Sequence, residues 1–450
     1  MMRLNEAARM LGAAEPGEDA AVLRVASDSR SLAAGDLFVA LKGENFDGHD
    51  YARAAIEGGA AGVLVARDLG LPRQIVVTDT LAALGELGRL WRARFSLPLI
   101  AVTGSNGKTT VTQMLRSILV AHAGEAAFAT EGNFNNAIGV PLTLLRLRAH
   151  HSIGVVELGM NQKGEIDHLA RMAAPTVALV NNAQREHQEF LHSVEETARE
   201  NGAVFAHLGT AGTAVINADD ACAGLWRALA RGREVLDFGL ATAAEVTAKF
   251  DLALYGSHLE LMTPAGNVEV ALRIAGRHNV ANACAAAACA IGAGVPLAAI
   301  AAGLAAFTPY RGRMQKKVAP SGAVVIDDSY NANPDSVRAA IDVLGAIGGI
   351  RVLVLGRMGE VGHEGPAFHR EVGAYARERG IDRLLALGED TAPAVEGFGA
   401  GAMRFGDIAE VGAAARELAR PGATLLIKGS RSARMERVVE MLTGEAAAAH

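Results

Sequence analysis

Short runs of apolar residues alternate with longer amphipathic stretches along most of this chain. Apolar runs of four or five residues bounded by turns are typical of buried strands, whereas apolar residues spaced three or four apart are typical of helices. The pattern predicts helices at residues 51–58, 81–94 and 111–120. It predicts strands at residues 37–41, 62–65, 99–102, 152–156, 177–180, 323–326, 352–355, 384–387 and 424–427. This alternation predicts an α/β fold with mostly parallel sheets and right-handed crossovers.

The length of the chain indicates several domains. A chain of 450 residues is too long for one hydrophobic core, and roughly 150 residues per domain suggests about three. Pro98 precedes a strongly apolar predicted strand, and a basic cluster at residues 310–313 separates two blocks of strands and helices. We therefore predict domains at residues 1–96, 97–313 and 314–450.

Composition and charge limit the classes of partner. Half of the residues are hydrophobic and a fifth are charged, as in soluble globular proteins, and the formal net charge is −6. A negative net charge provides no general attraction for nucleic acid or an anionic membrane, so any phosphate binding has to be local. We expect a monomer that binds no nucleic acid and does not insert stably in a membrane.

Three further features favour a cytoplasmic location. The alanine-rich stretch at residues 281–307 is interrupted by Gly292, Gly294 and Pro296, which predicts two packed helices rather than a membrane span. The N-terminal residues turn polar and acidic before a long apolar run develops, unlike a secretory signal. The three cysteines have neither metal nor disulfide spacing, and we predict that they are small core residues in a reducing compartment.

The segment with the most specific chemistry is residues 103–110, Thr-Gly-Ser-Asn-Gly-Lys-Thr-Thr, which we call the phosphate loop. It lies between a predicted strand and a predicted helix, so backbone N–H groups and a helix N-terminus can point at one anion. Lys108 supplies a mobile charge for terminal phosphates, and the Thr109 hydroxyl can bind Mg²⁺. The full phosphate-binding pattern is incomplete, because Val102 replaces its first glycine. An ordinary strand-to-helix turn is the alternative interpretation.

Polar residues follow the next two predicted strands. Glu157 ends the strand at residues 152–156, and His187 follows the strand at residues 177–180. The carboxyl ends of parallel strands meet at one edge of a sheet, where ligands bind. Glu157 and His187 are therefore predicted to bind Mg²⁺ beside the phosphate loop, although imidazole is an uncommon Mg²⁺ ligand. The alternative for His187 is a loop histidine held by ordinary hydrogen bonds.

Other polar turns are candidates for ligand binding. Asn279 and Asn282 begin a predicted helix three residues apart, which puts them on one face, and Arg313 supplies a cation for a transferring phosphate. Three strand-end loops of the C-terminal unit predict a second binding edge, at residues 327–334, 356–360 and 428–431. The N-terminal unit has polar turns at residues 27–30 and 42–50. A helix cap or a solvated loop is the alternative for each of them.

Together these motifs resemble those of the Mur ligase family over nearly the whole chain. The phosphate loop is similar to the family's ATP loop, residues 157–160 to its Mg²⁺ carboxylate segment, and His187 to its metal histidine. The resemblance implies a UDP-binding α/β domain at the N-terminus and a central ATP-binding domain with a parallel sheet. It also implies a Rossmann-like α/β domain at the C-terminus that binds an amino acid or dipeptide.

The resemblance also implies ligand contacts for individual residues. The ATP contacts are Gly104, Asn106, Gly107, Lys108, Thr109, Thr110, Asn279, Asn282, Arg313 and Asp328. The contacts with a UDP-sugar peptide are Ser29, Arg30, Lys42, Phe46, Asp47, His49, Asn133, Asn135 and Asn136. The dipeptide contacts are Asn331, Asn333, Lys428, Ser430 and Arg431. The metal ligands are Thr109, Glu157 and His187, and the catalytic residues are Lys108, Glu157, His187 and Arg313.

Within the family, the similarity is greatest to members that add D-Ala-D-Ala to UDP-N-acetylmuramoyl-tripeptide, at residues 28–30, 37–43, 132–141, 328–334 and 428–431. The resemblance implies an ATP- and Mg²⁺-dependent ligase of peptidoglycan synthesis that works through an acyl phosphate. The Asp-Asn-Pro-Arg segment with which the diaminopimelate-adding relatives select their amino acid is absent from the sequence. The alternatives are a family member with another acceptor, such as diaminopimelate, lysine or a folate glutamate, and a nucleotide-dependent switch.

Two positions depart from the family pattern. Many relatives have a carbamylated lysine, which helps to hold a second Mg²⁺, at the position of Asn201. Asparagine carries no charge, so a second metal must be held otherwise or more weakly. Arg357 stands where the family often has an aspartate, which replaces a carboxylate with a cation in the loop at residues 356–360.

Overall fold

The computed structural model describes residues 1–186 and 188–445. Three parallel or mostly parallel sheets follow one another along the chain, and helices pack against them. The predicted α/β class with three successive sheet units is therefore confirmed.

The N-terminal unit contains a small parallel sheet. The strands of this unit are β1 Met2–Arg3, β2 Ala21–Val22, β3 Arg24–Ala26, β4 Asp36–Val39, β5 Gly62–Val65 and β6 Gln74–Val76. Its helices are α1 Leu4–Met10, α2 Ala52–Glu57 and α3 Thr80–Arg92. Strands β3 to β6 are parallel and adjacent in that order, whereas β1 pairs with β2 in antiparallel orientation. The predicted helix at residues 51–58 is preceded by a 3₁₀ turn, Gly48–Tyr51.

The central unit has a six-stranded parallel sheet. Its strands are β7 Leu99–Thr103, β8 Ala127–Ala129, β9 Ile153–Glu157, β10 Val177–Val180, β11 Thr213–Asn217 and β12 Glu234–Phe238. The helices between β7 and β12 are α4 Lys108–Ala123, α5 Gly139–Leu144, α6 Glu165–Ala173, α7 Gln188–Leu191, α8 Val194–Gly202 and α9 Ala223–Leu229. The strand order is β12-β11-β10-β7-β9-β8, so β7 lies in the middle of the sheet between β10 and β9.

Helices cover both faces of this sheet, which explains the continuous apolar sequence of β7. All five residues of β7 are buried. Leu99 and Ala101 belong to a core that extends into the N-terminal unit, whereas Ile100 and Val102 belong to the core on the α4 side. Helix α3 packs on α5, and a side chain at Gly88 would come within 2.7 Å of Pro141. The N-terminal and central units therefore share one continuous core.

An antiparallel sheet follows β12, and the sequence analysis did not predict it. Its strands are β13 Thr247–Ala253, β14 Gly256–Thr263 and β15 Gly266–Leu272. Leu259, Leu261 and Val270 pack into the core of the central unit, whereas the residues between them are partly or fully exposed. Such half-buried strands have no continuous apolar run, which is why they are hard to identify in the sequence.

Two helices complete the central unit, α10 Arg277–Gly292 and α11 Leu297–Ala306, as predicted for the alanine-rich stretch. Cys284 and Cys289 lie inside α10 and are fully buried, and burial raises the pKa of the Cys284 thiol to about 12. The third cysteine, Cys222, is only partly buried. Within the described part of the chain, no helix has the length and apolarity needed to span a membrane.

The C-terminal unit contains a six-stranded sheet in the order β16-β17-β21-β18-β19-β20, in which only β16 is antiparallel to its neighbour. The strands are β16 Gln315–Val318, β17 Val324–Asp328, β18 Ile350–Leu355, β19 Arg383–Leu387, β20 Ala402–Phe405 and β21 Ala423–Lys428. The helices are α12 Pro334–Gly345, α13 Gly365–Glu378, α14 Ala392–Phe398, α15 Ile408–Leu418 and α16 Glu436–Thr443. The register aligns Asp328, Leu355 and Lys428 at one edge, which confirms that three strand-end loops meet there.

Candidate active site

The phosphate loop connects β7 to α4, as the sequence predicts, although α4 already begins at Lys108. Gly104 and Gly107 have φ angles of 131° and 83°, which side chains rarely tolerate. A Cβ atom at Gly107 would also lie 2.5 Å from Asn282 Oδ1 and 2.6 Å from Asn181 Nδ2. The loop therefore needs glycine at this position for its conformation and for the close approach of two asparagines.

The Lys108 ammonium group is folded back over the loop. Its Nζ atom donates hydrogen bonds to the carbonyl oxygens of Gly104 at 2.6 Å and Ser105 at 3.0 Å. It also forms an ion pair with Glu186 at 3.4 Å. The sequence analysis missed Glu186, although an acidic residue beside a predicted metal histidine at the end of a parallel strand was a usable signal.

Glu157 lies at the end of β9, next to the phosphate loop. Its buried carboxylate accepts hydrogen bonds from Thr109 Oγ1 at 3.2 Å and from Asn135 Nδ2 at 2.7 Å. Arg313 Nη2 donates to Thr109 Oγ1 at 3.3 Å, and its guanidinium stacks over the Tyr330 ring, 4.1 Å from the centroid. The structure thus brings Lys108, Thr109, Glu157 and Arg313 together, whereas His187 lies outside the described residues.

The donor atoms at this point suit Mg²⁺ and phosphate. A threonine hydroxyl and a carboxylate are hard oxygen ligands, which Mg²⁺ prefers. The buried Nε of Arg313 has no hydrogen-bond acceptor among the described residues, so it is able to receive an anion. Within residues 1–186 and 188–445, no group of three or more histidine, cysteine or acidic side chains could hold a metal.

A cavity of about 740 Å³ contains most of the predicted ATP contacts. The phosphate loop, Asn279, Asn282, Arg313 and Asp328 line it, and the hairpin between β13 and β14 contributes exposed Leu252 and Leu254 at its apolar end. The asparagines form a network, because Asn282 donates to Asn279 Oδ1 at 3.1 Å and accepts from Asn181 Nδ2 at 3.0 Å.

His278 also lines this cavity. Burial lowers its pKa to about 4, so the imidazole stays neutral at neutral pH. Asn279 Nδ2 lies 3.0 Å from His278 Nε2. The neutral imidazole stands among charged groups of the same cavity wall, which are Arg277, Asp328, Asp342 and Lys428.

A second cavity, of about 1080 Å³, brings together residues predicted for three different ligands. It is lined by Lys108, Thr109, Asn135, Asn136, Glu157, Arg313, Asn331, Asn333, Lys428, Ser430 and Arg431. Because the phosphate loop lies on both cavities, a nucleotide in one can present its terminal phosphate to the other. Asn133 is exposed on the same loop as Asn135 but does not line the cavity.

The predicted UDP contacts of the N-terminal unit lie in the turns of that unit and line neither cavity. Asp47 accepts from the His49 backbone N–H at 2.9 Å and contacts its Nδ1 at 2.5 Å, while Ala66 N donates to His49 Nε2 at 2.8 Å. Both nitrogens of the buried His49 ring therefore support the turn itself. Nearby, Lys42 and Phe46 are exposed.

Ser29 and Arg30 form the other turn of the predicted UDP site. Ser29 is half-buried and Arg30 is exposed. The Arg30 guanidinium and backbone N–H bind Asp28, which lowers the pKa of that carboxyl to about 2. The exposed Arg30 side chain is thus held in place by Asp28.

The predicted dipeptide contacts lie on the loops that follow β17 and β21. Lys428 is buried and pairs with Asp328 at 2.5 Å, so residues predicted for the dipeptide and for ATP contact each other. Asn333 caps α12 and exchanges two hydrogen bonds with Asn106 of the phosphate loop, at 2.8 and 3.2 Å. Ser430 is buried, and Arg431 pairs with Glu436 at 3.4 Å.

The two departures from the family pattern occupy different environments. Asn201 is fully buried, accepts a hydrogen bond from Thr103 Oγ1 at 2.6 Å and donates to Thr197 O at 3.0 Å. It lines neither cavity and supports the strand that leads into the phosphate loop. Arg357 lines the larger cavity and lies 3.5 Å from Asp390.

Three parts of the chain match known protein domains. Residues 22–90 match the Mur ligase family catalytic domain, residues 102–290 the Mur ligase middle domain, and residues 312–431 the Mur ligase glutamate ligase domain. These segments follow the order of the three sheets described above.

Individual relatives match over almost their whole length. The chain is 41% identical over 432 residues to the UDP-N-acetylmuramoyl-tripeptide–D-alanyl-D-alanine ligase of Escherichia coli (strain K12), covering 95% of each chain. A crystal structure of MurF from Acinetobacter baumannii is 34% identical and superimposes with a TM-score of 0.91, covering 98% of both chains. MurF ligase from Thermotoga maritima in complex with ADP is 27% identical, with a TM-score of 0.81 over 93% of this chain and 96% of that one. With identity at this level along three matched domains, this chain belongs to the Mur ligase family.

Proposed function

We propose that this protein joins D-Ala-D-Ala to UDP-N-acetylmuramoyl-tripeptide with ATP, giving UDP-N-acetylmuramoyl-pentapeptide, ADP and phosphate for peptidoglycan synthesis. The observation that carries the proposal is the full-length similarity to ligases named for this reaction, 41% identical over 95% of the chain in the Escherichia coli relative. The large cavity supports it, because the phosphate loop and the strand-end loops of the C-terminal sheet open into the same space. Because the proposed reaction consumes ATP, we propose that it takes place in the cytoplasm.

A carboxylate does not react with an amine to form an amide in water unless one of its oxygens becomes a leaving group. In the proposed first step, the terminal carboxylate of the UDP-peptide attacks the γ-phosphorus of ATP, and ADP leaves. In the second step, the free amine of D-Ala-D-Ala attacks the acyl carbon, the intermediate loses a proton, and phosphate leaves. Phosphoryl transfer depends mainly on positioning and charge neutralisation.

The residues at the phosphate loop suit these demands. Lys108 can turn from the loop carbonyls to the terminal phosphates. Arg313 lies beside Thr109, and its buried Nε donates to no acceptor in residues 1–186 and 188–445. Thr109 and Glu157 would hold Mg²⁺, which supplies charge neutralisation for the phosphates when bound. Glu157 is kept in position by Asn135.

We also propose a division of labour along the chain. Residues 1–96 would bind the UDP group, residues 97–313 would bind ATP, and residues 314–450 would bind the dipeptide. This assignment is supported by the placement of the predicted UDP contacts of the N-terminal unit outside both cavities. Asn135 and Asn136 of the central unit line the larger cavity together with Asn331, Ser430 and Arg431, so the UDP-linked peptide would reach the other ligands there. The protein would act as a monomer, since each proposed ligand has its contacts within one chain.

The test is phosphate release from ATP and Mg²⁺ with UDP-N-acetylmuramoyl-tripeptide, measured with and without D-Ala-D-Ala. Release that requires both substrates and yields a UDP-pentapeptide supports the proposal. Release with diaminopimelate, lysine or glutamate in place of the dipeptide would identify another acceptor within the family. Release that needs no amine and no UDP-peptide would favour the nucleotide-dependent switch.

A further inference from the structure

Arg185 connects the central unit to the C-terminal unit. It lies in the loop after β10, and its guanidinium contacts two carboxylates from the other unit. Nη2 donates to Asp335 Oδ1 at 2.6 Å, Nη1 donates to Glu371 Oε2 at 2.7 Å, and the backbone N–H of Arg185 donates to Asp335 Oδ2 at 2.9 Å. Asp335 lies in the first turn of α12 and Glu371 lies in α13. One side chain thus holds two helices of the C-terminal sheet unit.

The surroundings of Arg185 make this contact specific. The side chains of Arg185, Asp335 and Glu371 are 25%, 23% and 33% exposed, so water screens the pairs only in part. The guanidinium also lies 5.1 Å from the centroid of the Phe368 ring. Arg338 donates to Glu371 at 3.0 Å and keeps that carboxylate oriented. Several charge-assisted hydrogen bonds from a planar guanidinium fix a direction as well as a distance.

The residues on either side of Arg185 contact the phosphate loop. Gln184 accepts a hydrogen bond from Asn106 Nδ2 at 2.5 Å, and its backbone N–H donates to Ser105 Oγ at 2.9 Å. Glu186 forms the ion pair with Lys108. In the segment 184–186, the first and third residues therefore contact the phosphate loop, and the middle residue contacts the C-terminal unit.

The N-terminus of α12 contacts both the phosphate loop and Arg185 of the central unit. Its cap residue Asn333 exchanges hydrogen bonds with Asn106, and Asp335, two residues later, binds Arg185. Asn331 and Tyr330, which line the large cavity, lie two and three residues before this cap. A shift of α12 would therefore move the cavity wall relative to the phosphate loop.

We infer that Arg185 is a positioning residue, which fixes the C-terminal acceptor site over the phosphate loop through Asp335 and Glu371. The inference rests on the proposed function, in which an acyl phosphate formed at the loop must meet an amine bound by the C-terminal unit. Attack requires the reacting atoms to be about 3–3.5 Å apart, and a misplacement of about 1 Å can cost on the order of 100-fold in rate. Segment 184–186 would thus align the phosphate loop with the acceptor site of the C-terminal unit.

The test compares Arg185→Ala and Arg185→Lys with the matched control Arg199→Ala, whose guanidinium pairs with Glu195 on the exposed face of α8 in the same unit. For Arg185→Ala we expect kcat/KM for D-Ala-D-Ala to fall at least tenfold, with the Kd for the UDP-tripeptide changed less than twofold. Arg185→Lys should recover only part of the loss, because an ammonium group cannot bind both carboxylates with the same geometry. Arg199→Ala should behave as the wild type.

Two further measurements separate positioning from general destabilisation. Asp335→Ala should lower kcat/KM for the dipeptide. In the double variant with Arg185→Ala, the fold-loss in kcat/KM should be smaller than the product of the two single fold-losses, because both changes remove the same contact. X-ray scattering should give a larger radius of gyration for Arg185→Ala than for Arg199→Ala, at an unchanged secondary-structure content. An Arg185→Ala enzyme with wild-type kcat/KM and radius of gyration would overturn the inference, as would an equal loss of UDP-tripeptide affinity.

The same experiments distinguish failure of the inference from failure of the proposed function. If the wild-type enzyme formed no UDP-pentapeptide, the proposed function would fail for all variants alike. The scattering comparison requires no acceptor and would still decide whether Arg185 holds the two units together. If the wild type formed the product and Arg185→Ala did so equally well, only the inference would fail.

Discussion

The Lys428 ammonium group lies 2.5 Å from a carboxylate oxygen of Asp328 and joins the ends of the adjacent parallel strands β17 and β21. Both residues are buried, and Lys428 also donates to the Asn331 carbonyl at 3.0 Å. The pair therefore holds the loop at residues 328–334 against the end of β21. Asp328 was predicted to contact ATP, and Lys428 was predicted to contact the dipeptide.

Removing one partner of this pair should destabilise the protein strongly. Lys428→Met leaves a buried carboxylate without its cation, for which we expect a loss of about 3–5 kcal/mol in the free energy of unfolding. The double variant Asp328→Asn with Lys428→Met should recover part of that loss. Urea unfolding measures both losses. Lys249→Met is the control, because the Lys249–Glu260 pair is exposed and solvent screening leaves it little effect on stability. Equal losses for Lys428→Met and Lys249→Met would contradict this account.

Lys108→Ala should stop turnover without weakening the binding of the UDP-tripeptide. The ammonium group lies at the phosphate loop, whereas most of the predicted UDP contacts lie in the turns of the N-terminal unit. We expect the rate of phosphate release to fall by at least about 100-fold, with the Kd for the UDP-tripeptide within about twofold. A phosphate assay measures the rate of release, and calorimetry measures the Kd for the UDP-tripeptide. Lys249→Ala is the matched control. A parallel loss of UDP-tripeptide affinity would refute the proposed division of labour.

Glu157→Gln should raise the Mg²⁺ concentration needed for activity. The glutamine side chain has the same shape and can still bond with Thr109 and Asn135, but it lacks the negative charge that the metal requires. We expect turnover to fall on the order of 100-fold, with partial recovery at high Mg²⁺. Mg²⁺ titrations of the rate test this, with Glu195→Gln on the exposed face of α8 as the control. A variant with the wild-type Mg²⁺ dependence would exclude Glu157 as a ligand.

Asn201→Ala should lower stability through the loss of its hydrogen bonds. The buried hydroxyl of Thr103 would lose its acceptor, and an unsatisfied buried polar group costs about 1–3 kcal/mol. The measurement is the free energy of unfolding. The control is Asn267→Ala, because the exposed Asn267 side chain in β15 bonds with Glu260 of β14. If Asn201→Ala instead kept full stability and lost only Mg²⁺ affinity, Asn201 would have a direct role at the metal.

His278 should make the folded state less stable in acid. Its pKa is about 4 in the folded protein, below the usual value of 6.5, because burial disfavours the imidazolium. Between these values the unfolded chain binds a proton that the folded chain does not bind, so stability rises with pH across this window. The contribution is complete above about pH 6.5 and is lost as the pH falls towards 4.

The substitution His278→Gln removes this proton linkage. We expect the variant to lose less unfolding free energy than the wild type when the pH is lowered from 7 to 5. The exposed His363→Gln is the control and should keep the wild-type dependence. An unchanged pH dependence in His278→Gln would show that other groups account for the acid lability.

Local patterns predicted nine strands of the three parallel sheets because such patterns reflect burial within single elements. The five residues of β7 are buried on both faces and therefore form an apolar run, and the glycines of the phosphate loop are required by its backbone conformation. Glu157 could be located for a similar reason, since the end of a parallel strand adjacent to β7 faces the loop. The antiparallel sheet of β13 to β15 was missed, because its exposed face gives the sequence no continuous apolar signal.

The sequence by itself determined the order of the three units, the phosphate loop and the strand ends that carry polar groups. Each of these follows from residues that are close together in the chain and from the physical requirements of one turn, strand or helix. Only the tertiary structure decided which of those groups meet. Asp328 contacts Lys428 across 100 positions, Arg185 contacts Asp335 across 150, and Asn106 contacts Asn333 across 227. Such contacts depend on strand order and on how the units pack, which many distant residues determine together.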